Sequence, residues 1–208
     1  MSSWFAFGPS VASAGAEPIS PEAVRQLQNA KAPLVLVDAQ APVDSAARDA
    51  GSSKLLTVYY SRSPSARPAV RAAQEAAHAG TRDARWLAGT PLDWQREQLA
   101  IAEPTPSEPL RLDAKELAAA IKDGADLQLL DIRGREHFDQ GHLPGARHQM
   151  PHELDAALAK LSKARWTILI DDGTRLAEPL ARTVHRKGYV LTGWLAGGYP
   201  AWVAEPDK

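Results

Sequence analysis

The chain has 208 residues, of which 44% are hydrophobic and 24% are charged, and this is ordinary content for one or two globular domains. A formal net charge of −1 gives no field that would attract nucleic acid or an acidic membrane surface, so neither partner is predicted. No apolar run approaches the length of a membrane span. The sequence contains no cysteine, which excludes disulfides and thiolate metal sites within it.

The first half of the chain alternates helices and strands. Residues 1–16 are predicted to be an N-terminal tail rather than a signal peptide, because no Lys or Arg precedes Arg25 and Gly8-Pro9 interrupt the apolar residues. Ser20 is a good helix N-cap, and Pro21 suits the first turn. The predicted elements are a helix at 21–29, a strand at 34–37, a strand at 55–60, a helix at 66–79 and a strand at 85–87.

A spacer with three prolines, residues 102–109, separates this first module (17–101) from a second module (110–208). The second module also alternates the two kinds of element, which predicts parallel βαβ units and an α/β fold. Gly188 suits the position after a helix, where a left-handed backbone is needed. The predicted elements are a helix capped by Asp113, a strand at 129–132, a helix at 152–161, a strand at 166–170, a helix at 176–187 and a last strand near Tyr189.

The first half reads as a shortened copy of the second. Residues 80–94 match 188–202 at an offset of 108, whereas 35–38 match 128–131 at an offset of 93. The offsets differ by 15, so the first module lacks the region that corresponds to 141–146. Trp94 and Trp202 fall at equivalent positions and are predicted core anchors. Trp86 and Trp194 also match, and either could lie on an exposed face as a partner site.

The second module contains Asp131-Ile132-Arg133 at a strand end, then Glu136-His137-Phe138 and Gly141-His142-Leu143-Pro144-Gly145-Ala146. With Gly197-Gly198 near the end of the chain, these motifs resemble the signature of the rhodanese (thiosulfate sulfurtransferase) family over residues 110–204. The resemblance implies a rhodanese-like doubly wound parallel sheet in two tandem modules, the first truncated. It also implies structural roles for Asp131, Arg133, Glu136, Gly141, His142, Pro144 and Gly145.

In active members of that family a cysteine thiolate carries the sulfur, and this cysteine is the first residue of the loop after the strand that matches 166–170. Here that position holds Asp171, followed by Asp172, Gly173, Thr174 and Arg175, so no catalytic residue is predicted. Such a loop directs backbone N–H groups at one point and forms an anion cradle. Either the Asp171 carboxylate fills this cradle and caps the helix, or the loop binds a cation or a cationic peptide.

The matching loop of the first module contains Ser61, Arg62 and Ser63. The sequence leaves open whether Ser61 or Ser63 takes the cysteine position, and neither serine has an obvious base nearby. The three residues together are a candidate oxyanion site, in which the arginine would supply several donors.

Residues 168–174 superficially resemble a phosphatase signature, but that family's nucleophilic Asp would fall on Ile170. His137, His142, His148 and His152 match no common ligand spacing, so no metal and no cofactor are predicted.

Three functions follow as hypotheses. The first is a catalytically silent rhodanese-like protein that acts as a binding or regulatory module. The second is a sulfurtransferase-related enzyme of sulfur metabolism that needs a thiol from a partner protein. The third is a structural tandem domain for dimerisation. The partner, whether a protein, a small ligand or a second copy in a homodimer, is not identified by the sequence, and the cytoplasm is expected rather than the periplasm.

Overall fold

A computed structural model describes residues 16–40, 55–101 and 105–206. The chain divides into two compact units between Thr105 and Pro106, within the predicted spacer. Nearly all of the predicted N-terminal tail, and residues 102–104 of the spacer, lie outside the described residues. No helix in the described ranges is long and apolar enough to cross a membrane.

The first unit contains a four-stranded sheet in which all strands are parallel. The strands lie in the order β1-β4-β3-β2. The strands of this unit are β1 (Glu17–Ile19), β2 (Leu34–Asp38), β3 (Leu56–Tyr60) and β4 (Ala84–Leu87). Its helices are α1 (Pro21–Asn29), α2 (Arg67–His78) and α3 (Pro91–Arg96).

The second unit contains a five-stranded parallel sheet in the order β5-β9-β8-β6-β7. This order repeats that of the first sheet and adds β7 beside β6. The strands are β5 (Leu110–Leu112), β6 (Leu127–Asp131), β7 (Arg147–His148), β8 (Trp166–Ile170) and β9 (Thr192–Leu195). The helices are α4 (Ala114–Lys122), α5 (Arg135–Gln140), α6 (Leu154–Leu158), α7 (Ala177–Arg186) and α8 (Gly198–Ala204). The predicted α/β fold with two parallel sheets is confirmed.

Local capping residues set the starts of two helices, as predicted. The Ser20 side chain accepts a hydrogen bond from the Ala23 N–H at 3.1 Å, with Pro21 as the first residue of α1. At α4, the Asp113 side chain accepts from the Glu116 N–H at 2.7 Å and the Glu116 side chain accepts from the Asp113 N–H at 2.9 Å. This reciprocal capping box satisfies two N–H groups that the helix itself leaves unpaired.

Two predicted elements differ from the structure by more than two residues at one end. The helix expected at 152–161 is a 3-10 turn at Pro151–Glu153 followed by the short helix α6. The chain after α6 turns tightly, since the Leu161 N–H bonds to the Leu158 carbonyl. The last strand begins at Thr192, after Tyr189, because the Tyr189 hydroxyl is drawn into the core and donates to the Leu158 carbonyl.

The cores lie between the sheets and their helices. In the first unit, Val24 of α1 and Trp94 of α3 pack on one face of the sheet, and α2 packs on the other. Trp94 and Trp202 are buried, as predicted for core anchors. Trp86 is also buried, so an exposed partner face at that residue is wrong, and Trp194 packs partly buried against the core beneath α6 and α7.

One buried hydroxyl distinguishes the two sheets. In the second sheet the Thr167 hydroxyl accepts from Gln128 Nε2 at 3.1 Å, and Gln128 lies opposite it on β6. In the first sheet Thr57 takes the corresponding place and lies opposite Val35, whose side chain has no donor. Thr57 is fully buried, and its hydroxyl has no hydrogen-bond partner within the described part of the chain. An unpaired buried polar group of this kind costs stability.

We therefore expect Thr57→Val to raise the free energy of unfolding by about 1 kcal/mol, because it removes a buried hydroxyl that forms no bond. The matched control, Thr167→Val, should lower it by about 1 kcal/mol, because it removes one of the two acceptors of the Gln128 amide, the other being the Ser162 carbonyl. Urea unfolding of the full chain followed by tryptophan fluorescence measures both. Destabilisation by Thr57→Val would mean that the hydroxyl has a partner after all.

Candidate functional site

The loop between β8 and α7 lies at the carboxyl end of the second sheet, where parallel α/β sheets bind ligands. Its first residue, Asp171, is only 3% exposed. Asp171 Oδ1 accepts a hydrogen bond from the Gly173 N–H at 2.9 Å, and Oδ2 accepts from the Ala177 N–H at 2.9 Å. Ala177 is the first residue of α7, so the carboxylate occupies the position at which the loop and helix amides converge.

The rest of this loop is exposed to solvent. Gly173 and Arg175 have left-handed backbones, with φ of 89° and 65°. Asp172 accepts from the Thr174 N–H at 3.3 Å. Hydrogen bonding from Thr174 is the main cause that lowers the pKa of the Asp172 carboxyl; burial opposes it, and the charge of His137 adds a smaller lowering effect.

The turn at Gly197-Gly198 closes the loop from the neighbouring strand. The Tyr199 N–H donates to the Asp171 carbonyl at 2.7 Å. Gly198 has φ of 61°, and a Cβ atom there would clash with both the carbonyl oxygen and Oδ1 of Asp171. Only glycine allows this approach. The sequence analysis did not assign this pair to the site, although two adjacent glycines before a helix are a signal of close backbone contact.

The Asp131–Arg133 pair forms a second buried arrangement beside the loop. Arg133 Nε donates to Asp131 Oδ1 at 2.9 Å and Nη2 to Oδ2 at 2.7 Å, and the side chains are 4% and 0% exposed. Nη2 also donates to the Gly141 carbonyl at 2.6 Å, and the guanidinium lies 3.8 Å from the centroid of the Tyr199 ring. Tyr199 thus links this ion pair to the backbone of Asp171.

The other residues that the resemblance marked as structural surround the turn after α5. His142 Nδ1 lies 3.0 Å from the Phe138 carbonyl oxygen, and its ring stacks on Phe138 at 4.0 Å. Gly145 has a left-handed backbone with φ of 77°, whereas Pro144 and Glu136 are exposed. No group of three or more His, Asp or Glu side chains within the described residues could hold a metal ion.

The structure decides which serine of the first unit corresponds to Asp171. Asp38 pairs in register with Tyr60 just as Asp131 pairs with Ile170, so the next residue, Ser61, matches Asp171. Both helices begin six residues after these positions, but α2 has 12 residues and α7 has 10. The two additional helical residues explain why counting back from the end of the helix leads to Ser63.

The polar groups of this first loop bond to one another. The hydroxyls of Ser61 and Ser63 are 2.9 Å apart, and Ser63 donates to the Ser65 carbonyl at 2.8 Å. Arg62 Nη2 lies 2.6 Å from Asp38 Oδ2, and the two side chains are 35% and 9% exposed. The donors proposed for an oxyanion are therefore already engaged within the protein.

The aspartate that ends the second strand, Asp38 or Asp131, has a different partner in each unit. Gln40 takes the place of Arg133: its N–H donates to Asp38 Oδ1 at 2.9 Å, as the Arg133 N–H donates to Asp131 Oδ1 at 3.1 Å. A glutamine cannot neutralise a carboxylate. In the first unit the positive charge instead comes from Arg62, in the loop that follows β3.

We expect Arg62→Ser to destabilise the protein by about 1–2 kcal/mol, because it leaves Asp38 without a counter-charge at a site that is only partly screened by solvent. Adding Gln40→Arg to that variant should restore at least half of the loss, since residue 40 occupies the place of Arg133. A double-mutant cycle by urea unfolding measures the coupling between the two positions. An additive pair would contradict the proposed equivalence.

Asp171→Ala should lower the free energy of unfolding by about 1–3 kcal/mol, because the Gly173 and Ala177 N–H groups lose their acceptor in a buried place. The control is Asp172→Ala, which changes an exposed neighbour and should stay within about 0.5 kcal/mol of the parent protein. Thermal and urea unfolding measure the two variants. Equal effects would show that Asp171 contributes no more than a surface carboxylate.

Comparisons with known proteins concern the second unit. Residues 113–205, less than half of the chain, match the family model of the Rhodanese-like domain. A comparison with curated proteins gave no match. A crystal structure of the Alr3790 protein from Anabaena is similar over 45% of this chain and 76% of that one, with 27% identity and a TM-score of 0.42.

Two further structures are similar at lower identity. The rhodanese-like domain protein from Staphylococcus aureus covers 44% of this chain and 89% of its own, with 18% identity and a TM-score of 0.41. The rhodanese-related protein from Thermoplasma volcanium covers 46% and 92%, with 18% identity and a TM-score of 0.42. The family match at residues 113–205 identifies the region of the second unit as similar to the rhodanese-like domain.

Proposed function

We propose that the protein is a catalytically silent rhodanese-like protein that acts as a binding or regulatory module. The observation that carries this proposal is the buried Asp171 carboxylate, which accepts from the Gly173 and Ala177 N–H groups at the end of β8. In the rhodanese family this place belongs to the sulfur-carrying cysteine. A carboxylate cannot form a persulfide, and the sequence contains no cysteine elsewhere that could do so.

The packing around Asp171 also argues against completion of the site by a thiol from a partner protein. Both carboxylate oxygens are engaged, the residue is 3% exposed, and Gly198 approaches it so closely that no side chain fits between them. A partner's sulfur would have to displace the carboxylate from two backbone donors. The same carboxylate would repel thiosulfate or another anionic substrate.

The proposal includes a tandem arrangement of two rhodanese-like modules. The first sheet repeats the strand order of the second without β7, and both have an Asx-type hydrogen bond after the second strand, at Asp38 and Asp131. We infer that the first unit is a truncated rhodanese-like module whose loop carries Ser61 where the second carries Asp171. A net charge of −1 favours a protein or a small ligand over nucleic acid as the partner.

The purified protein should produce no thiocyanate from thiosulfate and cyanide above the rate in buffer. Asp171→Cys is the positive control for the loop geometry, because its sulfur would lie near the Gly173 and Ala177 amides. The pKa of this thiol should fall below the value of about 8.5 for a free cysteine, since thiolates are stabilised at helix N-termini. Asp172→Cys, on the exposed neighbour, should have its pKa lowered less, because only the Thr174 donors lie near that position.

Iodoacetamide alkylation rates across pH give both thiol pKa values, and the sulfurtransferase assay is run on the same samples. Thiocyanate production by the parent protein that Asp171→Ala abolishes would overturn the proposal of a silent module. A thiol at position 171 that titrates no lower than the one at 172 would show that the amides do not form a cradle at this residue.

A further inference from the structure

A groove of about 400 Å³ lies beside β7, at the opposite side of β6 from the Asp171 strand. Its floor consists of the apolar side chains of Leu130, Ala156, Ala157 and Leu161. Its rim is polar and includes Arg147 on β7 and Lys160 after α6. An apolar floor with a few polar groups around it is the usual composition of a binding site.

The charges around this groove are predominantly positive. Arg147 lies opposite Leu130 in the β6–β7 register, so the two side chains share the sheet face that α6 covers. Arg147 and Lys160 are exposed, and the side chain of neither takes part in an ion pair or hydrogen bond among the described residues. The carboxylate on the rim, Glu153, accepts from Gln149 Nε2 at 3.3 Å and lies 3.9 Å from His152.

The backbone of β7 is open on the groove's outer side. The Gln149 N–H donates to the Asp131 carbonyl at 2.9 Å, and Arg147 pairs with Leu130. Because main-chain groups alternate in direction along a strand, the N–H and carbonyl of His148 point away from β6. No strand of the described sheet lies on that side of β7. The His148 ring contacts the Arg133 carbonyl at 2.9 Å and Phe138, which holds the strand in place.

We propose that this groove binds an extended acidic peptide, which pairs with the main chain of His148 as a further strand beside β7. Alternate side chains of a strand lie on the same face, so the first, third and fifth residues of the peptide would face the groove. Carboxylates at the two ends of this set would contact Arg147 and Lys160, and an apolar side chain between them would lie on the groove floor. Strand addition of this kind combines main-chain hydrogen bonds with side-chain pockets. The site lies apart from the Asp171 loop, so the proposal does not depend on whether the protein is catalytically silent.

The positive charge of the groove favours an acidic peptide over a second copy of the chain as its occupant. Pairing two β7 edges would bring the Arg147 side chains of both copies near each other, and like charges across a strand pair are destabilising. A short edge strand with a cation also discourages association with neutral strands. An acidic segment is instead attracted to Arg147 and Lys160, so the charge interaction stabilises its binding.

The test uses a fluorescein-labelled peptide of sequence Asp-Thr-Val-Thr-Asp, which places two carboxylates and one apolar side chain on the same face, with the full-length protein and fluorescence anisotropy. Reversing both cations, by Arg147→Glu together with Lys160→Glu, should weaken binding about tenfold or more. The matched control reverses Arg111 and Lys115, two exposed cations near β5, and should leave affinity within about twofold. A Lys-Thr-Val-Thr-Lys peptide should not bind.

Two measurements test the strand pairing itself. Binding of the acidic peptide to the parent protein should shift the His148 amide resonance in a ¹⁵N NMR spectrum, which remains informative if a charge-reversed variant fails to fold. A main-chain N-methylated form of the peptide keeps its charges but cannot donate, and should bind at least about tenfold more weakly. Absence of saturable binding, equal loss in the control variant, or equal affinity of the N-methylated peptide would overturn the proposal.

Discussion

The carboxylate of Asp171 determines the organisation of the carboxyl end of the second sheet. The carboxylate joins the end of β8 to the start of α7 through the Gly173 and Ala177 amides. The backbone carbonyl of the same residue accepts a hydrogen bond from the Tyr199 N–H at the start of α8. One residue therefore connects a strand, a loop and two helices. A thiolate in this place would be a reactive group, whereas a carboxylate whose two oxygens each accept a backbone hydrogen bond stabilises the loop.

The two units show how one structural requirement can be met from different positions. An aspartate ends the second strand of each unit with its side chain at most 9% exposed, and in each an arginine supplies the counter-charge. In the second unit Arg133, two residues further along the chain, supplies the charge; in the first it comes from Arg62, after the next strand. The Thr167 hydroxyl bonds to the Gln128 amide, but within the described residues no group takes the place of that amide beside the Thr57 hydroxyl. The two sheets thus share a strand order, while the contacts at corresponding positions differ.

The proposed peptide groove depends on the one strand that distinguishes the sheets. β7 covers the edge of β6 and leaves a short edge of its own, with Arg147 on the side of α6 and the His148 main chain directed outwards. The Asp171 loop and this groove lie on different strands of the same sheet. A module with an inert loop can therefore still bind a partner, since the two sites share no residue.

The sequence by itself determined the features that depend on neighbouring residues: the Ser20 and Asp113 caps, the left-handed Gly188 after α7 with φ of 87°, and the parallel α/β class that follows from alternating helices and strands. The resemblance of the second module to the rhodanese family also led to the prediction that Asp171 takes the position of that family's cysteine. Only the tertiary structure decided between Ser61 and Ser63, since a two-residue difference in helix length cannot be seen until the strands are paired in register. The tertiary structure also decided that Tyr199 and Gly198 contact Asp171, and that Arg62 neutralises Asp38. These contacts join residues that are 24 or more positions apart along the chain, and their geometry is set by sheet pairing and close packing rather than by local preference.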